Sequence, residues 1–234
     1  VDYLAVDQAD AEVAGEIGKG LAAGADRAGI EIVGGELAQL GELIRGLDLA
    51  GACFGTVALD SMITGSAIEP GDAIIGLPSS GLHSNGYTLA RAALAGLSLA
   101  EDPEARLGRS LGNELLEPTE IYVKPVLELL RSAVDVRGLA HITSGGLGNL
   151  LRLAAEVAYE IEEPLPVPPV FQLIQERSST ADEEMHEVFN MGCGFCCIVA
   201  GGDEGRALDL LRPHYPGARR IGTAAQGPRE IRRH

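Results

Sequence analysis

The sequence predicts an α/β protein of the α+β type, built as two layered α/β domains. Short aliphatic strand-like runs alternate with amphipathic helical stretches along the chain, the pattern of sheets covered by helices. Hydrophobic residues make up 46% of the sequence while aromatics are only 4% and Trp is absent, so the core is expected to be aliphatic, which suits layered packing. The chain has 234 residues, enough for two small cores. A turn-rich stretch closing with Glu69-Pro70-Gly71-Asp72 divides it, and the expected domains are 1–66 and 67–234.

The elements follow in order. Val1 to Val6 reads as a strand. Ala9 to Gly29 reads as a helix with Asp10 near its start, Val13, Ile17, Leu21 and Ala25 on one face, and Gly29 to stop it. Ile30-Glu31-Ile32-Val33 is expected to be the next strand, and Leu47 to Leu59 a longer one containing Gly51 and Gly55. Ala73 to Leu77 is a short apolar strand and Tyr87 to Leu94 a helix; residues 97–114 are polar and poor in helix signals. Pro125 suits the first turn of a helix through Leu130. Gly138 to Thr143 reads as a strand, followed by the turn Ser144 to Asn149 and a helix through Leu150, Leu151, Leu153 and Ala154. The proline-rich segment 162–169 is a connector. Val170 to Glu176 and Ala181 to Phe189 are expected helices, Phe195 to Ala200 a buried strand, Glu204 to Leu211 a helix, and Arg220 to Thr223 the last strand. No internal repeat is visible.

The formal net charge is −16, from 34 acidic and 18 basic residues, which argues against a nucleic-acid backbone as the main partner. No apolar run approaches the ~18 residues of a membrane span, and the N-terminus carries no basic-then-apolar signal. The expectation is a soluble, cytoplasmic protein without a membrane partner. Cys193 and Cys196 form a CxxC, but zinc sites of this kind normally use a second ligand pair, and redox pairs sit at helix starts rather than in strands. Buried thiols are the expected state.

Chemistry concentrates in two glycine-rich strand-to-helix turns, Pro78-Ser79-Ser80-Gly81-Leu82-His83-Ser84-Asn85-Gly86-Tyr87 and Thr143-Ser144-Gly145-Gly146-Leu147-Gly148-Asn149. Turns of this kind bring backbone N–H groups toward an anion. Ser84 or Asn85 capping a helix, with glycines merely turning the chain, is the competing account. Neither turn matches G-x-x-x-x-G-K-[ST] or G-x-G-x-x-G. His83 and His141 are candidate acids, bases or donors, or else satisfied structural histidines. Glu36, just past Gly34-Gly35, is a candidate Mg²⁺ ligand or an ordinary solvated carboxylate.

From Val1 nearly to Thr223 the sequence resembles the aminoimidazole ribonucleotide synthetases (phosphoribosylformylglycinamidine cyclo-ligases), especially archaeal ones. The matching blocks are Ile32-Val33-Gly34-Gly35-Glu36, Leu49-Ala50-Gly51, Ser79 to Tyr87, Glu117-Pro118-Thr119, Ile121-Tyr122-Val123, Ala140 to Thr143 with Gly145-Gly146, and Glu184-Met185-His186 with Phe189 to Gly192. Each block is short; their order and spacing are specific. The S-S-G-x-H-S-N-G block separates this family from relatives that make selenophosphate or thiamine diphosphate.

The resemblance implies a homodimeric enzyme that uses Mg-ATP to phosphorylate the formyl oxygen of formylglycinamidine ribonucleotide, after which a substrate nitrogen closes the imidazole ring and expels phosphate. It implies His83 as catalytic, Glu36, Gly35 and Asn85 on the ATP side with Glu36 at the metal, and Ser80, Gly81, Asn85, Thr143, Ser144, Gly145 and Gly146 on the substrate side. It also implies that 1–66 is the remainder of an ATP-binding and dimerisation domain, incomplete at its N-terminus, and that 67–234 carries the substrate-side turns. There are departures. The family's glycine-rich segment with Asp and Lys and its Asn-Asp pair have no counterpart here; Leu37 to Gly41 replace a different run; Ser144 stands for Gly, Glu120 for Arg, and Glu187-Val188 for Arg-Thr. Replacing Arg by Glu near an anion reverses the expected charge. The alternative reading is a catalytically silent homologue or fragment that binds a nucleotide or a partner chain.

Overall fold

The computed structural model describes residues 2–234 and divides into two compact units, 1–62 with 121–124, and 63–120 with 125–234. Val1, expected to open the first strand, lies outside the described residues.

The first unit is a three-stranded sheet with one long helix. β1 (Asp2–Val6) lies between β2 (Gly35–Gln39), to which it is parallel, and β3 (Leu47–Gly51), to which it is antiparallel. α1 (Ala11–Ala28) begins where the Asp10 carboxylate accepts the N–H groups of Glu12 and Val13, and ends at Gly29 in the left-handed conformation, φ 69°. Ala14, Ile17 and Leu21 of α1 share a groove with Leu4 and Leu37 of the sheet. Leu4, Ala5 and Val6 are buried, yet no residue of α1 is.

Two strand expectations are corrected here. Ile30 to Val33 is not a strand: β1 offers its pairing edge from Asp2 onward, and Asp2 registers with Gly35, so the ladder begins five residues later. The run Leu47 to Leu59 pairs as far as Gly51, which registers with Asp2; beyond it the chain meets no partner strand among the described residues and closes in a short 3₁₀ turn, Leu59–Ser61.

The second unit is a six-stranded sheet packed with helices. Its elements are β4 (Ala73–Pro78), α2 (Tyr87–Ala93), α3 (Leu111–Leu115), α4 (Val123–Arg131, whose first two residues group with the first unit), β5 (Val136–His141), β6 (Ala158–Ile161), α5 (Pro169–Ser178), α6 (Asp182–Val188), β7 (Cys193–Val199), α7 (Glu204–Leu211), β8 (Arg219–Ala225) and β9 (Glu230–Arg233). The sheet order is β5-β7-β4-β8-β6-β9, antiparallel throughout except for the β6–β9 pair. β4 sits between β7 and β8 and buries Ala73 to Leu77 completely, which is why it reads as an unbroken apolar run. One core gathers sheet residues such as Ile74, Tyr159, Cys196, Ile198 and Ile221; a second gathers Ala90, Leu111, Phe171, Ile174, Met185 and Phe189 from α2, α3, α5 and α6.

The expected helix through Leu150 to Ala154 is instead a 3₁₀ helix, Gly146–Arg152. Asn149 tightens it by donating to the Gly146 and Ser144 carbonyls, and i→i+3 bonds such as Gly148 N–H to Gly145 O replace the α-helical set. β6, β9 and α3 lack sequence signals of their own. β6 and β9 are short and pair mainly through backbone.

This topology positions the two glycine-rich turns. β4 and β5 both run antiparallel to β7, so they point the same way, and Phe195 of β7 registers with Leu77 on one side and His141 on the other. Both turns therefore leave the same end of the sheet.

Candidate functional site

Residues 79–86 fold back on themselves. Ser80 donates its N–H to His83 Nε2 at 3.1 Å and its hydroxyl to the Pro118 carbonyl at 2.7 Å. His83 has φ 59°, uncommon for a residue with a side chain, and Gly81 and Gly86 also have positive φ. α2 starts at Gly86 with no side-chain cap, so neither Ser84 nor Asn85 serves as the capping residue. Gly86 has Phe189 pressed against it where a Cβ would stand. Ser84 is exposed and Asn85 half-buried.

His83 itself is only 4% exposed. Burial, with His141 adding like-charge repulsion, lowers its pKa to about 4. The ring is thus neutral near pH 7. Because Nε2 accepts the Ser80 N–H, the proton of the neutral ring is assigned to Nδ1.

The second turn ends β5. Thr143 donates its hydroxyl to Asn149 Oδ1 at 3.1 Å, Ser144 and Gly145 are exposed, and Gly146 is buried with the His186 carbonyl in the place of a Cβ. His141 lies 6.3 Å from His83, centroid to centroid, and stacks on Phe195 at 6.1 Å with the planes 29° apart. Crowding on its packed side lowers the His141 pKa, although the ring keeps an exposed edge. Two histidines 58 positions apart in sequence thus form one aromatic row across the end of the sheet.

Of the expected residues, Ser80, Gly81, His83 and Asn85 sit on the first turn and Thr143, Ser144, Gly145 and Gly146 on the second, all within the second unit. Gly35 and Glu36 belong to the first unit, exposed on β2 and lining a groove of about 460 Å³ with Asp2. Among the described residues no group of three or more His, Cys, Asp or Glu is placed to hold a metal ion. The described residues therefore do not make an Mg²⁺ site by themselves, and Glu36 would supply a single carboxylate ligand. Cys193 and Cys196 lie buried on β7 with their sulfurs 3.6 Å apart, and the hydrogen bond with Cys193, followed by burial, pushes the Cys196 pKa up; both favour the inert thiol.

Three side chains that organise the first turn carried no assigned role in the sequence. Glu114, 8% exposed, places Oε1 3.5 Å from the point a Gly81 Cβ would occupy, and Arg109 bridges it to Glu117. Asn190, 4% exposed, donates to the Gly81 carbonyl at 2.8 Å. Asn190 stands in a block that carries the family resemblance, but its partner is 109 positions away, beyond the reach of local pattern.

Comparison with known proteins bears directly on this arrangement. Residues 1–57 match the family model described as AIR synthase related protein, N-terminal domain, and residues 69–234 match its C-terminal domain. A phosphoribosylformylglycinamidine cyclo-ligase of Methanothermobacter thermautotrophicus is 53% identical over 214 residues, covering 90% of this chain and 63% of that protein. One from Methanococcus maripaludis is 45% identical, covering 92% and 61%. The chain thus spans about three fifths of the length of these curated relatives. Among solved structures, E. coli HypE, a hydrogenase maturation protein, aligns with a TM-score of 0.68 at 18% identity, covering 99% of this chain and 68% of that one. A HypE in complex with ATP aligns at 0.63 with 20% identity, covering 96% and 64%. At such identities these two likenesses concern the fold. With both of its domain models matched in order across the sequence, the chain belongs to the AIR synthase related protein family.

Proposed function

We propose that this chain serves the ATP-dependent cyclisation of formylglycinamidine ribonucleotide to aminoimidazole ribonucleotide, with release of ADP and phosphate, in purine biosynthesis. The observation that carries this reading is the meeting of the two glycine-rich turns at one sheet end in a chain 53% identical to a protein named for that reaction. ATP is the proposed phosphoryl donor, a choice supported by the ATP complex of the HypE fold relative. Mg²⁺ would neutralise its phosphate charge, but no step is derived through it from the residues described.

Each turn has a proposed task. Exposed Ser144, with Thr143, Gly145 and Gly146 fixing the backbone, would hold the ribose phosphate through its N–H and hydroxyl, since the Gly145 and Gly146 N–H groups are given to the Glu187 and Thr143 carbonyls. Ser80, Gly81 and Asn85 would position the substrate's reacting arm within the second unit, and Gly35 and Glu36 would serve the nucleotide within the first. Neutral His83 would act by shaping its loop and presenting an uncharged ring beside His141, so that positioning rather than bulk proton transfer is its contribution. The working form is proposed to be a cytoplasmic homodimer paired through the first domain, over 1–66, with 67–234 as the substrate-side domain.

The test uses the natural full-length protein with formylglycinamidine ribonucleotide and Mg-ATP. Phosphate release that requires the ribonucleotide is expected. A folded sample that binds ATP yet releases no phosphate with substrate present would overturn the proposal in favour of a silent homologue.

A further inference from the structure

The segment 186–192, the last turn of α6 and the link from it to β7, touches both turns. Toward the first, Gly192 O accepts the Ser79 N–H at 2.9 Å, Asn190 Nδ2 donates to Gly81 O, and the Phe189 ring occupies the space beside Gly86. Toward the second, Glu187 O accepts the Gly145 N–H at 2.7 Å, and the carbonyls of His186 and Phe189 press on Gly146 where a side chain would stand. The segment is itself fixed by Asn190, whose Oδ1 accepts the Gly192 N–H at 2.8 Å, and by Met191 and Gly192 at positive φ. A buried amide with both ends engaged, and a glycine opposite each close approach, describe a strap with one permitted position.

We propose that Asn190 is a positioning residue which, through this strap, couples the His83 loop to the Ser144–Gly146 turn, so that the two behave as one ligand-holding unit. The inference rests on the proposed function for its kinetic consequence, while its structural consequence stands apart from activity. Loss of the Asn190 donor frees Gly81 O and shifts the strap. That disturbs the Gly145 amide on the other turn as well as the His83 loop. The turns also face each other where His83 stands 6.3 Å from His141, so a response at both is the signature of the strap when His83→Asn, which removes that ring and leaves the strap, does not raise exchange at 143–148.

Asn190→Asp tests it. The variant is nearly isosteric and keeps the acceptor for Gly192 N–H, but it replaces the donor to Gly81 O with a second acceptor. Amide hydrogen exchange in the natural full-length protein is expected to rise about tenfold or more at both 79–86 and 143–148, while Ile75 and Ile198 in the sheet stay within about threefold of wild type. Turnover with formylglycinamidine ribonucleotide and Mg-ATP is expected to fall about tenfold or more at pH 8, with KM changing less than about threefold. Relative to wild type, turnover should recover toward pH 6, because burial raises the new carboxyl's pKa and its protonated form donates to Gly81 O again. Glu114 beside Gly81, and Glu187 on the strap, favour that protonation; His83, His141, His186 and Arg109 are common to both proteins and cancel in the ratio. Exchange that rises only at 79–86, or at neither turn, overturns the coupling whatever the activity. An inactive wild type with exchange raised at both turns would instead remove the proposed function and leave the strap. Should the Asp variant not fold, Asn190→Ser takes its place, and if neither folds the positioning role is overturned, since Asn190 is then a determinant of the fold.

Discussion

His83 shows how one side chain links the site to stability. Its folded pKa of about 4 lies below the ordinary 6.5, so between these values the unfolded chain binds a proton that the folded one does not. Stability therefore rises with pH across that window: the contribution is complete above about pH 6.5 and lost as pH falls toward 4. At 1.36 kcal/mol per pKa unit this is on the order of 3 kcal/mol. His83→Asn, which tolerates the positive φ, is expected to flatten the urea stability profile between pH 4 and 6.5; an unchanged slope would mean that His83 does not titrate in this way. The residue was marked out in the sequence, since a histidine between two glycines stands out. Its burial was not, because the loop that carries it is held by Glu114 and Asn190, which stand against Gly81 and come from distant segments.

At the scale of elements, the legible ones carry their own boundary chemistry. α1 was set by Asp10 and Gly29, β4 by its apolar run, and α7 matched its predicted bounds from Glu204 to Leu211. The illegible ones depend on a partner: Ile30 to Val33 has strand composition but no strand to pair with among the described residues, and Gly146 to Arg152 was turned to 3₁₀ by the side chain of Asn149. Elements are also joined by charge at the other end of β5. Arg137 donates to Asp135 at 2.9 Å, to Glu69 at 3.1 Å and to Asp72 at 3.0 Å, and the hydrogen bond to Asp135, with the Asp72 carboxylate, raises its pKa further. Asp72 is only 3% exposed. Arg137→Leu leaves that carboxylate without its cation and is expected to cost about 2–3 kcal/mol, less than a fully buried pair because the guanidinium is partly solvated. Asp72→Asn added to it should recover much of the loss in the same denaturation assay. An Arg137→Leu protein as stable as wild type would show that this network ties nothing together.

At the scale of the molecule, no described helix is long and apolar enough to cross a membrane, yet the first unit carries much uncovered apolar surface. Leu21, Ile30, Ile32, Val33 and Phe54 line an open groove of about 660 Å³, and Val33 and Phe54 are 82% and 85% exposed. On either side of β1, β2 and β3 also leave their outer backbone edges unpaired among the described residues. Open edges beside an apolar groove favour association, and water alone leaves such a surface unsatisfied. The second unit, by contrast, buries apolar cores of its own. The proposed homodimer therefore belongs to the first unit. Light scattering on this 24.4 kDa chain is expected to give twice that mass, and Val33→Glu with Phe54→Glu to return it to the monomer mass, with the far-ultraviolet circular dichroism retained. Because both residues are largely exposed already, the pair should cost the monomer little stability, so the change in mass reports the interface and not unfolding. A wild-type chain that remains monomeric at about 100 μM, well above the micromolar range in which an interface worth about 8 kcal/mol would assemble, would overturn the dimer.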